Sequence, residues 1–586
     1  MKKKIFHFIM IKPSHYDDDG YVIQFFRSAM PSNTLATMYG LASDCRRRKV
    51  LGEDVDIRLT AIDETNKRIK VKKLVRKLRR DGGLGLVGLV GVQSNQFPRA
   101  MDLARQFRAE NIDVCIGGYH VSGCLAMISG LPPELKAAID EGVSLFAGEA
   151  ENRLETVLRD AYAGELRHVY NYMADLPPLQ DVPIPILDAK TVKRTGGGQS
   201  SFDAGRGCPF MCSFCTIINV QGRKSRYRSA DDVEHIVREN LKQGIRRFFI
   251  TDDNFARNQN WEAIFDRLIE LRRKLNASIN LVLQVDTMCH RIPNFIEKAA
   301  LAGTKRVFIG LENINPDSLK SAKKGQNRIT EYRQMLHAWR DVRVITTAGY
   351  ILGFPNDTPD TIVRDIEIIK RELPIDILEF FYLTPLPGSA DHKGLYENGV
   401  PLDPDLNKYD LNHVTTGHDK MNKEEWEKAY RLAWDTFFTD DHIVTLLKRA
   451  RASDLSLGKI LSTITWFYGS VMYEDVHPLE SGVIRYKFRR DRRPEFPIVS
   501  PWRFYPQYLA DLVSKTSKTL ALYMKYAPLR RRLDLDGDAV DYTDVSLEPV
   551  SADSEDDLEM FKVTEAAGSA LARAKRRAGV TAAQHQ

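Results

Sequence analysis

The chain of 586 residues is short of several things, and each shortage excludes a class of protein. Seven cysteines are too few for a disulfide-stapled secreted scaffold of this size. No apolar run approaches the roughly 18 residues that a membrane-crossing helix needs. The opening MKKKIFHFIMIK imitates a signal peptide, but its apolar run holds His7, meets Lys12-Pro13 and lacks a small-residue cleavage site. A buried first strand is the better reading. Charge of one sign is also lacking: 85 basic against 78 acidic residues leave +7, too little to indicate a nucleic-acid surface. There is no internal repeat. What is present, 43% hydrophobic and 28% charged residues, is the composition of a globular protein of about three or four domains, expected in the cytoplasm with reduced thiols.

Along the chain the pattern is α/β. In residues 1–176, short β-branched runs (Ile5–Ile11, Val55–Ile62, Leu84–Val92, Ile112–Ile116, Val143–Ala147) alternate with helical stretches. One of these, Lys67–Arg80, carries Val71, Leu74, Val75 and Leu78 as one stripe among lysines and arginines. Such alternation implies right-handed crossovers and a doubly wound parallel sheet, with ligands beyond the strand carboxyl ends. Pro177, Pro178, Pro183 and Pro185 mark residues 177–198 as a linker, closed by Gly196–Gly198 as a flexible hinge. From 199 to 395 alternation resumes: Ser201–Ala204, Arg247–Thr251, Asn280–Gln284, Arg306–Gly310, Thr346–Ile351 and Ile377–Leu383 predict a partial (β/α)6 barrel. Residues 396–533 read as a mainly helical domain. Residues 534–586, acidic from Asp534 to Glu559 with no lysine or arginine, read as a disordered tail.

The strongest chemical signal is Gly207-Cys208-Pro209-Phe210-Met211-Cys212-Ser213-Phe214-Cys215, just after a predicted strand. Cys208, Cys212 and Cys215 can aim three thiolates at one centre, soft ligands suited to iron–sulfur clusters or zinc. No fourth cysteine or histidine lies close by, as a structural zinc site would require.

This CxxxCxxC spacing, with Phe214 before the last cysteine, resembles the signature of the radical S-adenosylmethionine (radical SAM) superfamily. Further matches follow the barrel strands: Thr251–Phe255, Ile309–Asn313, Gly349–Pro355 and Thr384–Gly388. The likeness covers about 199–390. It implies a 4Fe–4S cluster on the three cysteines, an open iron chelated by S-adenosylmethionine, and reductive cleavage to a 5′-deoxyadenosyl radical. Asp252, Asp253, Asn254 and Glu312, at strand ends, are the candidates for holding that cofactor.

The first module, preceding such a core, resembles the Rossmann-like cobalamin-binding domain of class B radical SAM enzymes. Its matching positions are Ser94, Gly117-Gly118 and Gly148-Glu149, each just after a strand. Segment Pro13–Gly20 departs from the Asp-x-His-x-x-Gly motif of methionine-synthase-type domains, which leaves a lower cobalt ligand from His15 in doubt. Cys45, Cys115, Cys124 and Cys289 read as buried thiols, and their positions do not fit the radical SAM methylthiotransferases. The resemblance implies a cobalamin-dependent enzyme that methylates a carbon centre of a small-molecule or lipid substrate, with flavodoxin or ferredoxin as reductant and no nucleic acid. Two alternatives stay open: an anaerobic oxidative cyclase or rearrangement enzyme of the tetrapyrrole type, and a non-catalytic cobalamin or iron–sulfur sensor. No residue is singled out as catalytic. Basic Arg485–Arg493, interleaved with Tyr486 and Phe488, reads either as a solvated face or, with the apolar stretches around it, as peripheral membrane contact or a hydrophobic substrate channel.

Overall fold

The computed structural model describes residues 3–584. Strands β1 (Lys4–Lys12), β2 (Gln24–Ser28), β3 (Val55–Asp63), β4 (Leu84–Leu89), β5 (Asp113–Gly117), β6 (Ser144–Ala147) and β7 (Val169–Asn171) belong to the first module. All but β2 form one parallel sheet in the order β3-β1-β4-β5-β6-β7. β1 is buried along almost its whole apolar run, as a strand covered by helices on both faces must be. The helix Val71–Arg80 buries Val71, Val75 and Leu78 and turns its cations outward. Because the order reverses between β1 and β4, the crossovers leave on opposite faces and open a crevice at the carboxyl ends.

Strands β8 (Gln199–Phe202), β9 (Gly205–Arg206), β10 (Arg226–Tyr227), β11 (Arg247–Ile250), β12 (Asn280–Val285), β13 (Thr304–Glu312), β14 (Ile345–Leu352) and β15 (Ile377–Tyr382) make the second module. Six of them run parallel in the order β15-β14-β13-β12-β11-β8, an open partial barrel as expected. β9 and β10 form a two-stranded lip from which the cysteine loop departs. Helices Lys423–Phe437, Asp440–Ala452 and Leu457–Met472 close the β15 side, where Trp434 packs on Phe380 with ring centres 5.3 Å apart. β16 (Gly482–Tyr486) returns to pair antiparallel with β2, so the last third of the chain grips the first module.

Two expectations fail. The stretch 177–198 is a packed strap rather than a loose linker. Leu179, Leu187 and Val192 are buried, Ile186 N–H donates to the Ala36 carbonyl at 3.1 Å, and Gly197 turns the chain at φ +71. Prolines stop helix formation there without stopping burial.

The acidic tail is docked as well. Arg333 pairs with Glu555 and donates to the Val545 and Glu548 carbonyls at 2.8 and 3.0 Å. Arg449 holds Asp544 at 2.7 Å, and the Glu372 carboxylate accepts from the Glu559 and Met560 amides, each at 2.9 Å. Leu558, Met560, Phe561 and Ala567 are buried beneath it. The run lacks cations of its own, and Arg333 of the barrel and Arg449 of the helix Asp440–Ala452 supply them. Among the described residues, no helix is long and apolar enough to cross a membrane.

Candidate functional site

The cysteine loop is positioned by backbone geometry. Gly207 has φ +88, and a Cβ there would lie 2.5 Å from the Lys224 carbonyl oxygen, so only glycine lets the loop leave β9 this closely. Cys208 N–H donates to the Gly222 carbonyl at 3.2 Å, and Ser213 N–H donates to the Ala322 carbonyl at 3.0 Å. Ser213 Oγ donates to Asp391 at 3.2 Å, and Gln326 Nε2 donates to Cys212 Sγ at 3.3 Å. The start of the loop is therefore held by Gly222, ahead of β10, and its Cys212–Ser213 part by segments that follow β13 and β15.

The three sulfurs fit a cluster better than a single ion. Zinc with Zn–S bonds of about 2.3 Å would draw its thiolates to roughly 3.8 Å from each other. Among the described residues, the donor sets gathered within 4.8 Å are His120, Cys124, Glu134 and His15, Asp410, Glu480, but not the cysteine triplet. Burial pushes Cys208 up to about 11 and Cys215 up to about 12, and Asp253 adds to both. As thiolate ligands of iron, the two must give up their protons on binding.

Around the loop stand the strand-end residues, and they divide by what their side chains already hold. Asp252 accepts from the Ala204 and Gly205 amides at 2.7 and 2.8 Å and from Asn258 at 2.8 Å, tying the end of β8 to that of β11. Burial nevertheless pushes it up to about 7. Asn254 is spent on Asp286 at 2.9 Å, and Arg257 grips that aspartate at 2.6 and 2.9 Å while lying over the Phe210 ring. Glu312 pairs with Lys324, whose ammonium lies over Phe214. Asp253 alone of the four pairs with no side chain among the described residues. Burial and the neighbouring Asp252 push it up to about 7.

In the first module, Ser94, Gly117-Gly118 and Gly148 come together at the carboxyl edge of β4, β5 and β6. Ser94 Oγ and His120 Nδ1 share a hydrogen bond of 3.1 Å, and Gly148 N–H donates to Ser122 Oγ at 3.1 Å. Gly118 has φ +151, and a Cβ there would overlap the backbone of Val92. The module's own packing therefore demands this glycine. Glu149 turns away to the barrel, where Arg206 holds it at 2.7 Å and Arg226 holds its other oxygen. His15 is buried at 3.7 Å from Glu480, at the seam with the carboxy-terminal region.

The two carboxyl edges meet. Tyr119, which follows Gly118, is half-buried where the modules meet, and its hydroxyl is pushed well up by burial and then by Asp253, with Glu149 and Cys215 acting in the same direction. Arg206, Arg226 and Arg228 with Asp203, Glu149 and Glu151 make a buried, charge-balanced seam beside the cysteine loop. Sequence reading missed Arg206, Arg257, Lys324 and Gln326. Nothing in local spacing marks them; they are set by partners 29 to 114 positions away in sequence, except Lys324, whose Glu312 lies 12 away.

The radical SAM superfamily profile matches residues 204–369. The bacteriochlorophyllide d C-8(2)-methyltransferase of Chlorobaculum tepidum is 26% identical over 363 residues, 59% of this chain and 75% of that one. The hopanoid C-2 methylase of Rhodopseudomonas palustris is 24% identical over 301 residues, 50% of this chain and 55% of that one. Among solved structures, the radical SAM methyltransferase TsrM of Kitasatospora setae, with cobalamin and a 4Fe–4S cluster bound, superposes with a TM-score of 0.55 at 16% identity, covering 75% of this chain and 90% of that one.

Proposed function

We propose that this chain is a radical SAM enzyme of the cobalamin-binding-domain class, with a 4Fe–4S cluster, S-adenosylmethionine and cobalamin as cofactors, and that it methylates a carbon centre of a small-molecule or lipid-like substrate. The observation that carries this reading is the meeting of two carboxyl edges at Tyr119, with the cysteine loop on one side and the Ser94, Gly117-Gly118, Gly148 edge on the other. When bound, the cluster supplies the electron that opens S-adenosylmethionine, and cobalamin carries the transferable methyl group.

The chain's part is to bind, orient and exclude water. Cys208, Cys212 and Cys215 hold the cluster. Asp253, the one strand-end carboxylate not already engaged by a side chain, receives the amino group of S-adenosylmethionine. Asp252, Asn254 and Glu312 act through the loops they brace, by way of the Ala204 and Gly205 amides, Asp286 and Lys324. The first-module edge lines the cobalamin crevice. The buried arginine–carboxylate seam fixes the distance between the two edges and keeps the junction dry, where charges interact more strongly than in water. Flavodoxin or ferredoxin in the cytoplasm suits the electron supply.

The test is product analysis with anaerobically reconstituted protein and substrate extracted from a deletion strain. Expected are a methylated product, 5′-deoxyadenosine and S-adenosylhomocysteine, all lost in Cys208→Ala. Formation of 5′-deoxyadenosine with an oxidised, unmethylated product and no S-adenosylhomocysteine would point instead to the cyclase reading.

A further inference from the structure

The helix Pro501–Leu535 is the longest of the described elements, yet it buries few of its side chains. Trp502 is 90% exposed, and Tyr505, Leu509, Val513, Leu520 and Met524 are each 57–60% exposed. At 3.6 residues per turn these six positions fall within an arc of about 100°. The opposite side carries the buried Phe504, Tyr526 and Leu533. A largely apolar stripe, interrupted by Thr516, therefore faces away from the protein, a length of surface that a globular chain rarely leaves wet without a use.

Cations border the stripe. Arg503, Lys518 and Arg532 are exposed along one side of it on the same helix, and Arg531 stands beyond the stripe's carboxyl end. The helix begins against the β2–β16 ladder, where Tyr508 donates to the Arg485 carbonyl at 3.1 Å and Phe504 packs on Tyr21. That ladder exposes Phe26, Val483 and Ile484. Beside it lies a cleft of about 890 Å³ lined by Lys67, Lys70, Lys73 and Lys77 and walled by Tyr486 and Phe488. Among the described residues none of these four lysines has a carboxylate partner. Burial, with Arg194 nearby, holds Lys67 below the ordinary lysine value, so an anion entering the cleft would relieve a real repulsion.

An apolar stripe with aromatic residues at one end, cations along one side and too much charge to span is the pattern of a helix lying in a membrane interface. We propose that the helix Pro501–Leu535 docks this enzyme on an anionic lipid bilayer, its Trp502–Met524 stripe entering the boundary between headgroups and acyl chains and its cations meeting lipid phosphate. This placement stands apart from the methyl-transfer reading: a protein that binds vesicles but makes no methylated product would refute that reading alone.

The test is flotation of the full chain with vesicles of phosphatidylglycerol and phosphatidylcholine, against vesicles of phosphatidylcholine alone. Flotation with the anionic vesicles is expected, weakening about tenfold without phosphatidylglycerol or in high salt. The tryptophan emission should shift to the blue. Trp502 is the one tryptophan of six that is open to water, so Trp502→Phe should abolish the shift while flotation persists. The pair Leu509→Glu and Val513→Glu, at exposed positions that do not hold the fold, should cut flotation about tenfold with an unchanged melting transition. Failure of the wild type to float, or a paired variant that floats as well as the wild type, would overturn the proposal. So would a vesicle-free dimer that the paired variant converts to monomer, since the stripe would then belong to a second copy of this chain.

Discussion

Replacing Arg206 by Met perturbs the seam between the modules most directly. The Arg206 side chain is 9% exposed and donates to Glu149 at 2.7 Å, Glu151 at 2.6 Å and Asp203 at 3.1 Å. In the variant Glu149 keeps Arg226 and Asp203 keeps Arg228. Glu151, 1% exposed, keeps nothing, because no second cation reaches it among the described residues. Stranding one member of a buried pair costs about 3–5 kcal/mol, since the remaining charge has neither water nor partner. The pH dependence carries a second signature. Burial alone would raise Glu151, and Arg206 outweighs it, holding the carboxyl below its ordinary value. In the wild type this group contributes stability above its unfolded pKa and loses it as pH falls. In the variant burial wins, the carboxyl protonates readily, and the deficit shrinks toward about pH 5. Urea unfolding followed by circular dichroism at about pH 7.5 and about pH 5 reads both effects. A variant within about 1 kcal/mol of the wild type at the higher pH, or a gap that widens on acidification, would refute the reasoning.

Other expectations follow from single contacts. Truncation after Arg532 should lower the melting temperature sharply or cause aggregation. It uncovers the sites of Leu558, Met560 and Phe561, at about 1.5–3 kcal/mol for each fully buried side chain, and leaves Arg333 without its carboxylate. A truncated protein that melts like the wild type would contradict this. Burial alone would lower His413, but hydrogen bonds to Asp18 and Asp410 carry it up to about 10. That histidine adds stability that is complete below its ordinary value of 6.5 and drains away as pH rises toward 10. His413→Gln should flatten the decline of the urea midpoint over that window, and an unchanged slope would count against the contact. Gln326→Leu removes an N–H donated to Cys212 Sγ at 3.3 Å. Redox titration should show iron content retained and the cluster potential lowered on the order of tens of millivolts; an unshifted potential would mean the donor does not reach the cluster.

The fold was legible where periodicity alone decides. β1, with its unbroken apolar run, and the six barrel strands, each followed by a helix, carry their burial in local pattern. The cysteine triplet was legible because all three donors share one loop. What was not legible depends on distant partners. The acidic run looked unable to fold because its partners, Arg333, Arg371 and Arg449, lie in the barrel and the helix beside it. The proline-rich strap looked mobile because nothing local shows that Ile186 meets Ala36. Gly118 was expected to make room for a ligand, and its glycine is required by Val92 whether or not a ligand lies beyond it. Glu149 follows a strand as a binding residue would, and its two arginines come from the other module.

The central claim is that one junction presents the cysteine loop and the first-module edge to each other. The most direct measurement is electron paramagnetic resonance of protein loaded anaerobically with cluster and cobalamin, with the cluster reduced and the cobalt in its paramagnetic divalent state. A shared junction should broaden or split both signals by through-space coupling, and Cys215→Ala should return the cobalt signal to that of an isolated spin. Two uncoupled signals at full occupancy of both cofactors would contradict the account.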